Sequence, residues 1–285
     1  MSERIPALVR RPARRRPRGM ALIAVLWVLA AFGVLVASLG YTVRQQARLV
    51  SGERDAVVAQ ALADGAIQLA LQQLQLSQQL PEQLLRSSID FAGHSIAVTV
   101  QPLSGLIDLN AAPPPLLSQL LRVAGGLPPG AADELAQRLV EWRGGRPGGG
   151  EPWRFEAVED LLLVPGVDYP LYQRLRLLVS ADARGGDTVA PLAALPDVLA
   201  VLADGDAGRA AQIAAARDSG QPGIDLSTLD PRLAGGGSAD RFRIQAEVPL
   251  DTGKIATFVR TVLMRQGVAG IPWRTLHAER GIIAP

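Results

Sequence analysis

Hydrophobic positions crowd the start of the chain and then become periodic. Met20 to Leu39 runs without a charge and with one hydroxyl, Ser38. About twenty apolar residues at ~1.5 Å each span the ~30 Å hydrocarbon core of a bilayer. No proline falls between Pro17 and Pro81, and residues 41–79 are rich in Gln, Ala, Leu and Arg, which favour helix. Val43, Ala47, Val50, Val57, Ala61, Leu62, Ile67, Leu71 and Leu74 recur at helical spacing. The pattern predicts one helix of about sixty residues, its first third apolar all round and its remainder amphipathic. Gly33, Gly40, Gly52 and Gly65 weaken it locally; the alternative is a break near Gly40 and a separate second helix.

Further along, the period changes. Ile96, Val98 and Val100 alternate with Ser95, Ala97 and Thr99, which predicts a strand. In 241–248, Phe242, Ile244, Ala246 and Val248 alternate with Arg241, Arg243, Gln245 and Glu247, so one face should be buried and the other wet. Asp251-Thr252-Gly253 marks a turn into a partner strand over 255–265, and 273–277 adds a short edge strand. Between the strands, residues 103–232 read as helices punctuated by Pro and Gly. Helix candidates at 114–122 and 133–143 are echoed by a pair at 194–203 and 206–217. Each pair has an early proline and ends on an arginine, Arg143 or Arg217. This suggests an internal repeat, although periodic Ala and Leu match one another easily. A sheet at both ends of the region with helices between them is an α+β arrangement.

Charge changes this picture at one place. Residues 1–19 hold seven arginines (Arg4, Arg10, Arg11, Arg14, Arg15, Arg16 and Arg18) and one acid, Glu3; without them the net charge moves from +2 to −4. The basic sequence pI thus belongs to a leader, and the remainder is mildly acidic. An arginine cluster ahead of an apolar span predicts that the leader stays cytoplasmic and the rest crosses. The apolar run is longer than the 7–15 residues of a secretory signal, although Ala30 and Ala37 leave ordinary cleavage open. The absence of cysteine rules out a disulfide framework, a thiolate zinc site and a cysteine nucleophile.

Arg18-Gly19 followed by Met20-Ala21-Leu22 and an apolar stretch resembles the prepilin leader of type IV pilins and type II secretion pseudopilins. The resemblance implies that a prepilin peptidase cuts between Gly19 and Met20 on the cytoplasmic face and methylates the amine of Met20. Most members carry a glutamate at the fifth mature position; Ala24 stands there in this chain. A buried glutamate in that place needs a matching amine from a neighbour. A subunit without it suits the tip of a filament, and the K-type minor pseudopilin is the member that typically lacks it. Ile107-Asp108-Leu109-Asn110-Ala111-Ala112-Pro113, Val140-Glu141-Trp142-Arg143 and Phe155 to Leu161 with Val164-Pro165-Gly166-Val167 resemble successive segments of the same family, in order.

The family expectation is an α+β fold with a long N-terminal transmembrane helix and a pilin-like antiparallel sheet. A large helical insert, SAM-like or helix-hairpin-helix-like, interrupts that sheet. The boundaries that follow are a cleaved leader over 1–19, a transmembrane helix over 20–40 and its periplasmic continuation over 41–80. The sheet region takes 81–102 and 233–285, and the insert 103–232. Such a protein would be no enzyme. It would sit in the inner membrane as a single-pass protein with its bulk in the periplasm. It would assemble with I- and J-type minor pseudopilins, the prepilin peptidase and the inner-membrane secretion platform. The resemblance also associates calcium with the loop after the Trp-Arg segment, but Gly144 to Glu151 offers one carboxylate beside Arg146, a poor site for an ion that takes six to eight oxygens. Glu156, Glu159 and Asp160 follow on the next helix.

Other chemistry fits less well. Residues 109–180 also resemble helix-hairpin-helix modules, which would make the chain a membrane-tethered DNA-binding protein of the competence kind. Asp168, just after the Pro-Gly turn, would repel phosphate, and Arg174 and Arg176 make no broad basic face. His94 and His277 lack metal-pair spacing. Ser104 lacks the context of a nucleophile elbow, and the runs at Gly148–Gly150 and Gly235–Gly237 precede no Gly-Lys-Ser/Thr. Trp142, Trp153 and Trp273 read as core or interface anchors.

Overall fold

The computed structural model describes residues 18–77, 79–144, 153–183, 186–236, 240–250, 253–264 and 272–283; side chains at 18–22, 24, 34–54 and 282–283 also lie outside the description. The predicted Asp251-Thr252 turn and most of the Gly144–Glu151 loop fall outside it too. The chain divides between Asp55 and Ala56 into two units.

Helix α1 runs Arg18–Leu76, without the break considered at Gly40. In the first unit, Ile23, Val25 to Leu29 and Phe32 are all exposed, so the apolar surface encircles the helix there. Among the described residues, no helix is long and apolar enough to cross a membrane; the predicted 20–40 span includes side chains outside that set.

The second unit is a mixed helix and antiparallel-sheet fold. Its sheet comprises β1 (Leu85–Phe91), β2 (His94–Pro102), β5 (Arg241–Pro249), β6 (Ile255–Met264) and β7 (Trp273–Ile283), in that spatial order and antiparallel throughout. Strand β2 thus pairs with β5 across everything between them. The 57–76 stretch of α1 buries Ala59, Leu62, Ala63, Ala66, Ile67, Ala70, Leu71 and Leu74 against the inner face of the sheet. The alternation in β5 delivers Phe242, Ile244, Ala246 and Val248 to that core. The ring of Phe91 on β1 lies directly over Gly65, so a Cβ there would force that ring to move. Arg260 of β6 fixes the helix laterally, donating to Asp64 at 2.6 Å.

Strand β1 was not expected from sequence. It joins β2 through Ala92 and Gly93, both at positive φ (50° and 82°), the geometry of a tight hairpin turn. Strand β7 continues to Ile283, six residues past the predicted end at His277. Arg241, expected on the wet face, is buried: its Nη1 donates to the Asp182 carbonyl at 2.9 Å because the helical region lies over the start of β5.

That helical region has a core of its own, drawn from Leu103 to Leu233. It begins with β3 (Ile107–Asp108), α2 (Pro114–Val123), α3 (Pro129–Gly144), a 3-10 turn over Val158–Leu163, α4 (Tyr169–Leu175) and β4 (Val179–Ser180), which pairs in parallel with β3. A 3-10 turn (Pro191–Ala193), α5 (Pro196–Leu202) and α6 (Ala207–Asp218) follow. A second parallel bridge, Val189 with Ala234, closes this part as β3–β4 closes the first.

The repeat has a physical form. Each helix pair opens with a proline in the first turn, where a missing N–H costs nothing. The arginine that ends each pair reaches back to the carbonyl two residues before the first helix. Arg143 donates to Ala112 O at 2.7 Å and to Leu109 O at 3.0 Å; Arg217 donates to Ala194 O at 2.6 Å. Arg122 and Gln119 of α2 meet Asp204, in the α5–α6 turn, and tie the two pairs together.

Candidate functional site

The sequence-derived site residues cluster at the start of α1. Gly19 and Met20 follow the first helical residue, Arg18, and Ala24 lies one turn on. Their side chains are outside the described residues, so the cleavage site and the Ala24 substitution stand on the sequence alone.

In the second unit, the outer surface of α1 carries no charge from Ala56 to Leu76 apart from Asp64, which Arg260 engages. Val57, Val58, Leu69 and Leu76 are exposed there among Gln60, Gln68, Gln72 and Gln75. A surface so poor in charge suits contact with another protein surface. Leu162, Leu163, Tyr169 and Leu177, around the Val158–Leu163 turn and α4, are further exposed apolar side chains.

The segment from Ile107 to Pro113 is organised by Asn110. Its Nδ2 donates to the carbonyls of Phe155 and Ala181, each at 3.0 Å, and its Oδ1 accepts from Phe155 N at 2.9 Å. Buried Asp108 accepts from Asn110 N at 2.8 Å. Burial pushes the Arg143 guanidinium down from its ordinary pKa, and Asp108 opposes the shift. The same segment therefore ties together the Phe155 loop, the Ala181 loop and the end of α3. The Trp142 and Trp153 rings meet edge to face at 5.4 Å.

A cleft of about 250 Å³ opens between the outer face of the sheet and the helical region. Its floor includes Gln101, Arg243, Gln245, Thr261 and Glu279, and its roof Tyr172, Arg176 and Leu177. Burial pushes the Arg243 guanidinium down; Glu279 opposes this and Arg176 adds to it. Burial and then the Glu159 carboxylate, whose Oε1 accepts from the Tyr172 hydroxyl at 3.3 Å, push the Tyr172 phenol up. In the sequence, Arg243, Gln245 and Glu247 read only as the wet face of a strand. The cleft was invisible because its walls come from strands and helices far apart in the chain.

The remaining candidates separate. His94 begins β2 and His277 lies on β7, its Nε2 3.3 Å from Glu279 Oε1. Ser104 is buried, with no hydrogen-bond partner for its Oγ among the described residues, and so lacks the base a nucleophile needs. Calcium fits poorly. Asp160 Oδ2 already accepts from Glu156 N and Ala157 N, Glu159 is engaged by Tyr172, and no group of three or more metal-binding side chains exists among the described residues. At the Val164–Val167 hairpin, Gly166 takes φ 98° and Asp168 caps α4, accepting from Leu171 N at 2.8 Å. The capping carboxylate takes up an amide at the start of α4 and sets a negative charge there, which opposes an anion such as phosphate.

No protein-family model matches the chain, and no curated protein matches it either. Its structure is similar to a chain in the crystal structure of the GspK-GspI-GspJ complex from the enterotoxigenic Escherichia coli type 2 secretion system. That chain is 18% identical with a TM-score of 0.48, and the match covers 84% of this chain and 98% of that one.

Proposed function

We propose that this chain is a minor pseudopilin of a type II secretion system, most like the K-type subunit, and acts as an assembly part rather than a catalyst. The observation that carries the reading is the single helix α1: it begins beside Gly19 and Met20, runs through the apolar stretch, and ends in the core of an antiparallel sheet. A leader over 1–19 would be removed by the prepilin peptidase, and 20–40 would hold the chain in the inner membrane with its bulk in the periplasm. The expected helical continuation over 41–80 ends earlier, at Leu76; the sheet region takes 81–102 and 233–285, and the insert takes 103–232. Ala24 in place of glutamate suits a tip subunit, because no neighbour above requires the paired charge. I- and J-type minor pseudopilins and the inner-membrane platform are the partners of this reading, and the charge-poor face of α1 is where a neighbouring helix would lie.

The test is the intact mass of the chain after co-expression with a prepilin peptidase. Loss of residues 1–19 with one methyl group added at Met20 is expected. A chain that stays full-length, or is cut near Ala37, refutes the proposal.

A further inference from the structure

Two hydrophobic cores lie on opposite sides of the sheet, and no residue belongs to both. The surface between them is polar. Across β2, β5, β6 and β7, the outer face sets Gln101, Arg243, Thr261 and His277 in one row and Thr99, Gln245, Val259 and Glu279 in the next. Val259 is the one apolar side chain in those rows, so no continuous apolar seam forms against the helical region, and the cleft remains open.

Among the described residues, backbone contact between sheet and helical region runs along one line. Leu84 N donates to Leu192 O at 3.0 Å, Ala190 N to Ser104 O at 2.8 Å, and Gln101 Nε2 to Ala193 O at 3.3 Å. Gly105 sits so near the Ala193 carbonyl that a Cβ would collide with it. Away from this line, each described side-chain hydrogen bond or ion pair between sheet and helical region comes from an arginine. Arg86 pairs with Asp218, Arg241 donates to Asp182 O, Arg243 donates to Leu177 O at 3.4 Å, and Arg176 pairs with Glu279 at 4.0 Å. The Arg176 and Glu279 side chains are 39% and 43% exposed, and such a pair is weak and easily screened. Of the other charges lining the cleft, Glu159 is engaged by Tyr172, Glu247 by Gln245, Asp182 by Arg241 and Arg86 by Asp218, while His277 lies against Glu279 itself and Glu156 also faces the opening.

We propose that the sheet and the helical region form a hinged pair, fixed where Leu84, Gln101 and Gly105 meet Ala190–Ala193 and latched across the cleft by Arg176–Glu279 and by Arg243 on the Leu177 carbonyl, so that ionic strength governs how far the cleft opens. A polar interface with one tight edge and one electrostatic edge moves by rotation about the tight edge. This inference does not depend on the assembly reading.

The chain has no cysteine, so paired spin labels can be placed without background. Labels at Leu163→Cys and Ala278→Cys, both exposed, report the gap between the helical region and β7; labels at Gln137→Cys and Leu163→Cys report the helical region alone. Distances are measured by double electron–electron resonance on the full chain in detergent, at low salt and at about 1 M sodium chloride, where the Debye length falls to ~3 Å. The 163–278 distribution is expected to broaden and lengthen with salt, and to do so at low salt in the Glu279→Gln/Arg176→Gln variant, while 137–163 stays fixed. A 163–278 distribution unmoved by salt overturns the latch. So does a change in both distances together, which reports loosening of the helical region itself.

Discussion

Asn110 offers the sharpest test of how the helical region is held together. Replacing it with alanine removes three hydrogen bonds to the Phe155 and Ala181 backbone and leaves those groups in a partly buried site. A neutral hydrogen bond contributes about 1 kcal/mol net, and an unsatisfied partner costs more. Because water reaches part of the site, the expected loss for Asn110→Ala is about 2–3 kcal/mol, or roughly 5–10 °C in melting temperature for a unit of this size. Asn110→Asp separates hydrogen bonding from packing. Its carboxylate can still accept from Phe155 N, but it sets two lone-pair surfaces against two carbonyls, so it should cost at least as much as alanine at pH 7. Chemical denaturation of the purified chain gives the energies. Hydrogen exchange at the Phe155 amide shows whether the loss begins at that site. A cost below about 0.5 kcal/mol for Asn110→Ala, or an Asp variant more stable than the Ala variant, would refute the reasoning.

Three further outcomes are expected. Arg217, whose side chain is 1% exposed and donates to Ala194 O and Asp218 Oδ1, should cost about 2–4 kcal/mol as Arg217→Ala, read from denaturation midpoints. Gly105→Ala should destabilise by about 2 kcal/mol or more through the Ala193 carbonyl, whereas Gly130→Ala, with open space around its Cβ in α3, should be neutral or stabilise by up to about 1 kcal/mol; equal melting temperatures would contradict the contrast. Tyr172 should ionise after the ordinary tyrosine range. Because its folded pKa is raised, its contribution to stability is fully present below the unfolded value of about 10 and is lost as pH rises from there through the raised one. Denaturation midpoints across that window should fall in the parent chain and stay flatter in Tyr172→Phe.

Much of the fold was legible because its signals were local. Period-two alternation with one buried face marked β2 and β5, the Asp251-Thr252-Gly253 turn signal marked β6 as the partner of β5, and proline starts marked α2 and α5. Strand β1 escaped because Leu85 to Asp90 is mostly exposed on both faces, so burial wrote no alternation into it; the Gly93 turn between Phe91 and His94 was the available signal. The far half of β7 escaped for the same reason. It lies at the edge of the sheet and is held by its backbone ladder to β6 rather than by a core. Arg241 misled because alternation reports only the sheet's own periodicity, and a second layer covered its wet side. The repeat was ambiguous in letters, since Ala and Leu recur in any amphipathic helix. It becomes specific only when Arg143 and Arg217 are seen to make the same backward reach.

The adjacency of β2 and β5 sets a problem of timing. Pro102 must find Phe242, and a disordered chain of that separation pays heavily in closure entropy. The helical region relieves this by returning to its own origin. Ser104 receives Ala190, and Val189 pairs with Ala234, so its beginning and end stand together once its core has formed. Shortening the effective loop from roughly 140 residues to roughly 10 is worth about 2 kcal/mol. The central pairing of the sheet is therefore expected to form late, after the segment that interrupts it has folded. A helical region slow to fold would leave the β2 and β5 edges unpaired and open to other chains.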